Sequence, residues 1–260
     1  MSDLTVPLRR PGLGSDALTM AARCVRLTAR NVESLITSLM LPVMLMLVFV
    51  YLFGGAIQTG GRYVTYVVPG VILLCAGFGA AQTAVGVAHD MAGGAIDRFR
   101  SLDVNGAALL AGHVAASVAR NVVATGLVFG VAYLVGFRAT AGPAEWLAAI
   151  AVVLAFVVAI SALSAMIGLV ARTPEAASGY TFLVMFLPYA SSAFVPVRTM
   201  PSWLHGFAQH QPVTPIIESL RGLLVGTPLG DNVWLAVAWC AGITVVSAAA
   251  ATVLFRRRVS

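Results

Sequence analysis

Six long apolar stretches alternate with short polar connections along the chain, near 34–53, 64–88, 114–137, 146–171, 176–197 and 232–255. A helix rises about 1.5 Å per residue and the hydrocarbon core of a bilayer is about 30 Å thick, so about 20 apolar residues span it. Each stretch reaches that length, and only the third carries a charge, Arg120. In hydrocarbon the backbone must satisfy its own hydrogen bonds, so stretches of this length are predicted as helices. The pattern therefore predicts an all-α polytopic membrane protein with six transmembrane helices.

The intervening segments carry patterns of their own. Over 16–33, Leu18, Ala21, Ala22, Val25, Ala29 and Val32 recur at helical spacing, while Arg23, Arg26 and Arg30 form a separate stripe. Such a basic amphipathic helix suits an anionic headgroup layer, and it serves equally as an interface for a partner. The connection 89–113 breaks at Gly93 and Gly94 and turns at Asn105-Gly106. Between them, 95–103 is predicted as a short helix with Ile96, Phe99 and Leu102 set among Asp97, Arg98, Arg100 and Asp103. Apolar knobs among charges of both signs suit docking into a cleft on a soluble partner.

The connection 198–231 predicts two further short helices. Pro201 opens one that groups Trp203, Leu204 and Phe207. Thr214 reads as the N-cap of the other, with Pro215 at its first position and Gly226 at its end. Ile216, Ile217, Leu220, Leu223 and Leu224 form its apolar face, and Glu218 and Arg221 are expected to pair on its polar side. Both helices are too short to span, yet their apolar faces must be buried. They read as re-entrant helices before the last span, with Pro201, Pro212 and Pro215 fixing the turns. Glu218→Ala is expected to impair function more than an ordinary surface change, and a swap of the charges of Glu218 and Arg221 is expected to restore part of it.

Composition narrows the class. The chain is 59% hydrophobic and 10% charged, against about 25% charged residues in a soluble domain. Residues 1–33 are too long and polar for a cleavable signal peptide. They read as a cytoplasmic N-terminal segment, followed by a membrane domain over 34–255 and a basic tail over 256–260. Cys24, Cys75 and Cys240 are scattered, so no disulfide framework or metal knuckle is implied.

Charge sets the orientation. Six crossings put both termini on one side, whose segments carry Arg9, Arg10, Arg23, Arg26, Arg30, Arg98, Arg100, Arg172, Arg256, Arg257 and Arg258. The other side carries Arg62, Arg138, Arg198 and Arg221. The positive-inside bias places both termini in the cytoplasm.

Candidate chemistry is sparse. A P-loop requires a lysine, and all 16 basic residues of this chain are arginine. Neither a G-x-S-x-G elbow nor an H-E-x-x-H pair is present. His205 and His210 stand five apart with no third donor nearby, so no metal site is expected. Arg120 is expected to snorkel or to pair with Glu33 or Asp103. Energy for any active transport must then come from another chain. A channel would need polar residues repeating along a helix face, and a membrane enzyme acting on lipids would need acids or a nucleophile at a boundary; neither pattern is seen.

The stretch Gln-Pro-Val-Thr-Pro-Ile-Ile-Glu-Ser-Leu-Arg-Gly-Leu-Leu-Val-Gly-Thr-Pro (211–228) resembles the signature before the last span of ABC-2 type permeases. Ser191-Ser192-Ala193-Phe194-Val195-Pro196-Val197 and Met200-Pro201-Ser202-Trp203-Leu204 are similar to the fifth-span ending of the daunorubicin-resistance (DrrB-like) branch. Asp90, Gly94 and Ile96-Asp97-Arg98-Phe99-Arg100-Ser101-Leu102 resemble that branch's cytoplasmic loop, with Asp103 where a proline is expected. The likeness runs in register over nearly all of 20–256.

The resemblance implies a half-sized export permease in the bacterial cell membrane. It would work with a second permease, identical or related, and two soluble ATPase subunits that hold ATP and Mg. The chain itself would bind no cofactor, and membrane lipids rather than nucleic acid would surround it. Asp97, Arg98, Phe99, Arg100 and Leu102 would belong to a coupling helix seated on the ATPase, with 17–33 as the interface helix beside it. The family's path follows the second and fifth spans, which points to Tyr66, Phe78, Gln82, Phe182, Met185, Phe186 and Tyr189. The implied cargo is a hydrophobic drug or lipid-like molecule leaving the cytoplasm or inner leaflet.

Overall fold

The computed structural model describes residues 32–57, 59, 61–92 and 106–259, and these residues form eight α-helices and no strand. Helix α1 (Val32–Val48) continues as a π-helical turn over Phe49–Phe53. Long helices follow as α2 (Tyr63–Ala92), α3 (Gly106–Leu134) and α4 (Pro143–Val170). Three short helices come next, α5 (Pro174–Val184), α6 (Ser202–His210) and α7 (Val213–Val225). Helix α8 (Asn232–Val259) closes the chain. Among the described residues four helices, α2, α3, α4 and α8, are long and apolar enough to cross a membrane, against the six spans expected. The expected helices carrying Arg23, Arg26 and Arg30, and Asp97, Arg98, Phe99, Arg100 and Leu102, lie outside the described residues.

Local chemistry sets the helix ends. Pro143 and Pro174 occupy first positions, where the missing N–H costs nothing. The Thr173 hydroxyl caps α5 by accepting from the Ala176 N–H at 3.2 Å. At that end, backbone and Thr173 hydroxyl hydrogen bonds hold the Glu175 carboxyl below its usual range. Gly226 ends α7 in the left-handed region at φ 79°.

Helix α2 is the centre of the bundle, packed against α1, α3, α4, α5 and α7. Val67, Val68, Val71, Ile72, Leu73 and Leu74 are buried along it. Close approach depends on missing side chains. A Cβ at Gly70 would sit 2.6 Å from the Ala193 Cβ, and one at Gly168 would sit 2.5 Å from the Ala84 carbonyl oxygen. The outward faces stay apolar at Leu134, Leu147, Trp234 and Val245, as expected of a surface wetted by hydrocarbon.

Three features depart from the sequence expectation. The fifth apolar stretch, 176–197, is helical only as far as Val184, and turns fill 185–194. Turn bonds such as the Leu187 N–H to the Val184 carbonyl at 3.2 Å replace the helical ladder there, and Pro188 has no N–H with which to resume it. Helix α7 is buried nearly all round rather than along one stripe, with Thr214, Pro215, Ser219, Arg221 and Gly222 enclosed as well as the leucines. It also begins at Val213, so Thr214 is not its cap. The Thr214 hydroxyl instead donates back to the Ala208 carbonyl at 2.5 Å and ties α7 to α6.

Candidate functional site

The interruption of the fifth stretch frees backbone carbonyls inside the bundle, and neighbouring side chains take them up. Gln211 Nε2 donates to the Leu187 carbonyl at 3.2 Å and the Ala190 carbonyl at 3.5 Å. Ser191 Oγ donates to the Pro188 carbonyl at 2.5 Å, and the Ser192 N–H donates to Thr214 Oγ1 at 3.4 Å. Tyr63 Oη reaches across from α2 to the Phe194 carbonyl at 2.8 Å. A broken helix persists at membrane depth only where protein groups restore its hydrogen bonds. Here α2 and the α6–α7 segment supply them.

Arg221 completes this cradle. Its guanidinium donates to Glu218 Oε1 at 2.6 Å, to the Ser192 carbonyl at 3.0 Å and to the Tyr66 carbonyl at 3.1 Å. It also lies 3.7 Å from the centre of the Tyr66 ring. Arg221 is only 5% exposed, so it does not share a polar surface with Glu218. One cation thus joins α7 to α2 and to the broken segment. Isolating an arginine from water is tolerable because three oxygens and a ring face replace the lost hydration.

The expected path residues separate into two groups. Phe182, Phe186 and Tyr189 are exposed, and their rings follow one another at 5.0 and 6.0 Å. The row continues through Phe194, 5.4 Å from Tyr189, to Phe49 on the π-helical turn, 4.3 Å further. Gln82 is also exposed, and Phe78 is half-buried. Met185 is buried against Gly77 beside a cavity of about 100 Å³ between α2, α4, α5, α7 and α8. Tyr66 is held under Arg221 and is part of the cradle. Of the outer residues, Trp203 is exposed while Pro212 and Pro215 are enclosed to different degrees.

Tyr63, Gln211, Phe49 and Phe194 were not among the expected site residues. Pro188 within an otherwise apolar stretch was a weak signal that carbonyls there would need side-chain donors, since Pro42 and Pro69 lie inside continuous helices. Gln211 and Tyr63 are the polar residues that meet that need.

Toward the other end of α2, Arg120 of α3 donates through Nη2 to the Gly79 carbonyl at 2.9 Å and Thr83 Oγ1 at 3.1 Å. The side chains of Glu33 and Asp103, its expected partners, lie outside what is described. His113 Nε2 meets Asp90 Oδ2 at 2.9 Å, clasping α3 to α2 on either side of the 93–105 connection. His205 and His210 hydrogen-bond the Met200 and Gly206 carbonyls, each at 2.8 Å. Among the described residues, no three His, Cys, Asp or Glu side chains gather as a metal site.

The family model described as ABC-2 type transporter matches residues 16–225. The daunorubicin resistance ABC transporter permease protein DrrB1 of Streptomyces coeruleorubidus is 32% identical over 226 residues, covering 86% of this chain and 80% of that protein. The probable doxorubicin resistance ABC transporter permease protein DrrC of Mycobacterium tuberculosis (strain CDC 1551 / Oshkosh) is 26% identical over 260 residues, covering 96% and 94%.

Proposed function

Because this chain belongs to the ABC-2 type transporter family, we propose that it forms the path of an exporter that expels hydrophobic drugs with ATP hydrolysed elsewhere. The chain is a membrane permease subunit of an ATP-binding cassette exporter. The observation that carries this reading is the family match over 16–225. The want of any lysine supports a separate ATPase, since a P-loop cannot be built without one.

In this reading two ATPase subunits seat on the coupling segment that includes Asp97, Arg98, Phe99, Arg100 and Leu102. A second permease, identical or related, meets the exposed row of Phe182, Phe186 and Tyr189 across the path. Aromatic edges and faces suit a flat apolar cargo. The clasp between Asp90 and His113 joins the two helices that flank the coupling segment, so a push there reaches α2 as a unit. At its far end α2 holds the broken fifth segment directly through Tyr63 and indirectly through Arg221, which donates to both the Tyr66 and Ser192 carbonyls. The buried helix α7, with the largely exposed α6 before it, then caps the path on the outer side, with both termini cytoplasmic and six spans in the bacterial cell membrane.

The test is to co-express the chain with its ATP-binding cassette ATPase and reconstitute the complex in liposomes. Daunorubicin should stimulate ATP hydrolysis by the complex, and the permease alone should hydrolyse none. Hydrolysis indifferent to daunorubicin, doxorubicin and lipid-like amphiphiles alike, or failure of the two chains to co-purify, would count against the reading.

A further inference from the structure

A second site lies away from the path, on the flank formed by α3, α4 and α7. It is a cavity of about 500 Å³ whose walls are almost wholly apolar. Its volume falls within the roughly 300–1,000 Å³ of ligand pockets. Gly126 and Gly130, one turn apart on α3, leave a bare strip along it, and a Cβ on either would meet no atom within 4 Å. Both glycines and Tyr133 are exposed, so the cavity opens sideways on the face of the bundle. None of its lining residues comes from α2 or α5.

The two ends differ in chemistry. One end carries the rings of Phe129, Trp146 and Tyr133, with Phe129 and Trp146 5.6 Å apart. There the Arg138 guanidinium lies over the Tyr133 ring at 3.9 Å, held by bonds from Nη1 to the Tyr133 and Phe137 carbonyls, each 2.7 Å. Arg138 is exposed, and Arg62 stands beside the adjoining turn at Gly136. Glu145, in the first turn of α4, folds back over Gly142. The opposite stretch of the cavity is walled by Val153, Leu154 and Val157, with Asn121 and Thr125 of α3 beside them.

We propose that this cavity holds one acyl chain of an anionic phospholipid, with the lipid phosphate against Arg138 and the chain lying along Gly126 and Gly130. An open apolar cavity in a membrane protein fills with hydrocarbon, and a guanidinium at its mouth selects a lipid with a negative headgroup. Leu220 and Leu224 of α7 form part of the wall. The bound chain therefore bears on the helix that carries Arg221, and lipid composition acts on the outer cap of the path.

The test is native mass spectrometry of the full-length permease, titrated with dioleoyl phosphatidylglycerol or dioleoyl phosphatidylcholine. It is read without ATPase or nucleotide, so its failure leaves the transport reading untouched. Wild type should retain phosphatidylglycerol in preference to phosphatidylcholine. Gly126→Leu with Gly130→Leu places each new Cβ where no atom lies within 4 Å, fills the strip and should weaken retention of both lipids at least about tenfold, as expected for displacing a couple of buried methylenes. Arg138→Gln should weaken phosphatidylglycerol by up to the roughly fivefold that an exposed ion pair is worth, and phosphatidylcholine less, because its own choline already balances the phosphate. Equal retention of the two lipids by wild type, or unchanged retention by the filled variant, overturns the site. Displacement of the lipid by daunorubicin would assign the cavity to cargo, and disulfide formation between two copies through Leu154→Cys would assign it to a second permease. Either result overturns the lipid assignment.

Discussion

Replacing Arg221 with glutamine removes the cation that joins α7, α2 and the interrupted segment. Arg221 makes three hydrogen bonds at 2.6–3.1 Å and one ring contact, and is 5% exposed. Bonds to a charged group are worth about 1.5–3 kcal/mol each, and they do not add when they share one donor group. Orphaning the partner of a buried ion pair costs about 3–5 kcal/mol. The Glu218 side chain is 30% exposed and can turn to water, which takes the lower end. Glutamine also keeps one donor for a carbonyl. The docked state of α7 should lose about 3 kcal/mol, or roughly a hundredfold in its opening equilibrium.

The readout is the reactivity of Ser219→Cys, since Ser219 is 0% exposed, in a background where Cys24, Cys75 and Cys240 are replaced. Alkylation should accelerate about a hundredfold with Arg221→Gln, because it reports the open fraction when opening is fast. A rise of less than about threefold, under 1 kcal/mol, would refute the lock. The charge swap separates pairing from cradling. Glutamate at 221 would face the Tyr66 and Ser192 carbonyls, acceptors that only a donor can satisfy. The swap of Glu218 and Arg221 should therefore label as fast as the single change, contrary to the partial rescue that pairing alone would give.

Gly168→Leu puts a Cβ 2.5 Å from the Ala84 carbonyl and 2.8 Å from the Val87 Cβ; it should force α4 from α2 at a cost of about 1–3 kcal/mol, read as an earlier thermal transition in detergent. Asp90→Asn and His113→Gln should show a coupling of about 0.5–1 kcal/mol in a double-mutant cycle on that transition, and strict additivity would deny the clasp. Phe99→Ala removes the largest apolar side chain of the proposed coupling segment, and if that segment docks on the ATPase the loss of an interface aromatic costs over about 2 kcal/mol. Membrane insertion should stay normal while transport and ATPase co-purification fall; no change in either, with Arg100→Ala equally silent, would remove the coupling role.

The long helices were legible because twenty apolar residues in a row admit little else, and α2, α3, α4 and α8 follow their apolar stretches closely. The fifth was misread for the same reason. Hydropathy counts side chains, and a proline alone does not mark a break, since Pro42 and Pro69 lie inside continuous helices; what holds the broken segment is a set of donors remote in sequence, Tyr63, Gln211 and Arg221. The burial of α7 was half legible. Its leucines and isoleucines announced one apolar face, but Thr214, Ser219 and Arg221 look polar until Ser192, Pro215 and Tyr66 are brought beside them. The aromatic row was hidden because Phe49 is remote in sequence from the other rings, and only folding aligns it with Phe194.

Vectorial transport is the most direct measurement. Inverted membrane vesicles holding the chain and its ATP-binding cassette ATPase should accumulate daunorubicin only with ATP and only when both chains are present. Arg221→Gln should depress accumulation while the complex still assembles. Drug movement by the permease alone, running down its gradient without ATP, would contradict an exporter and indicate a channel.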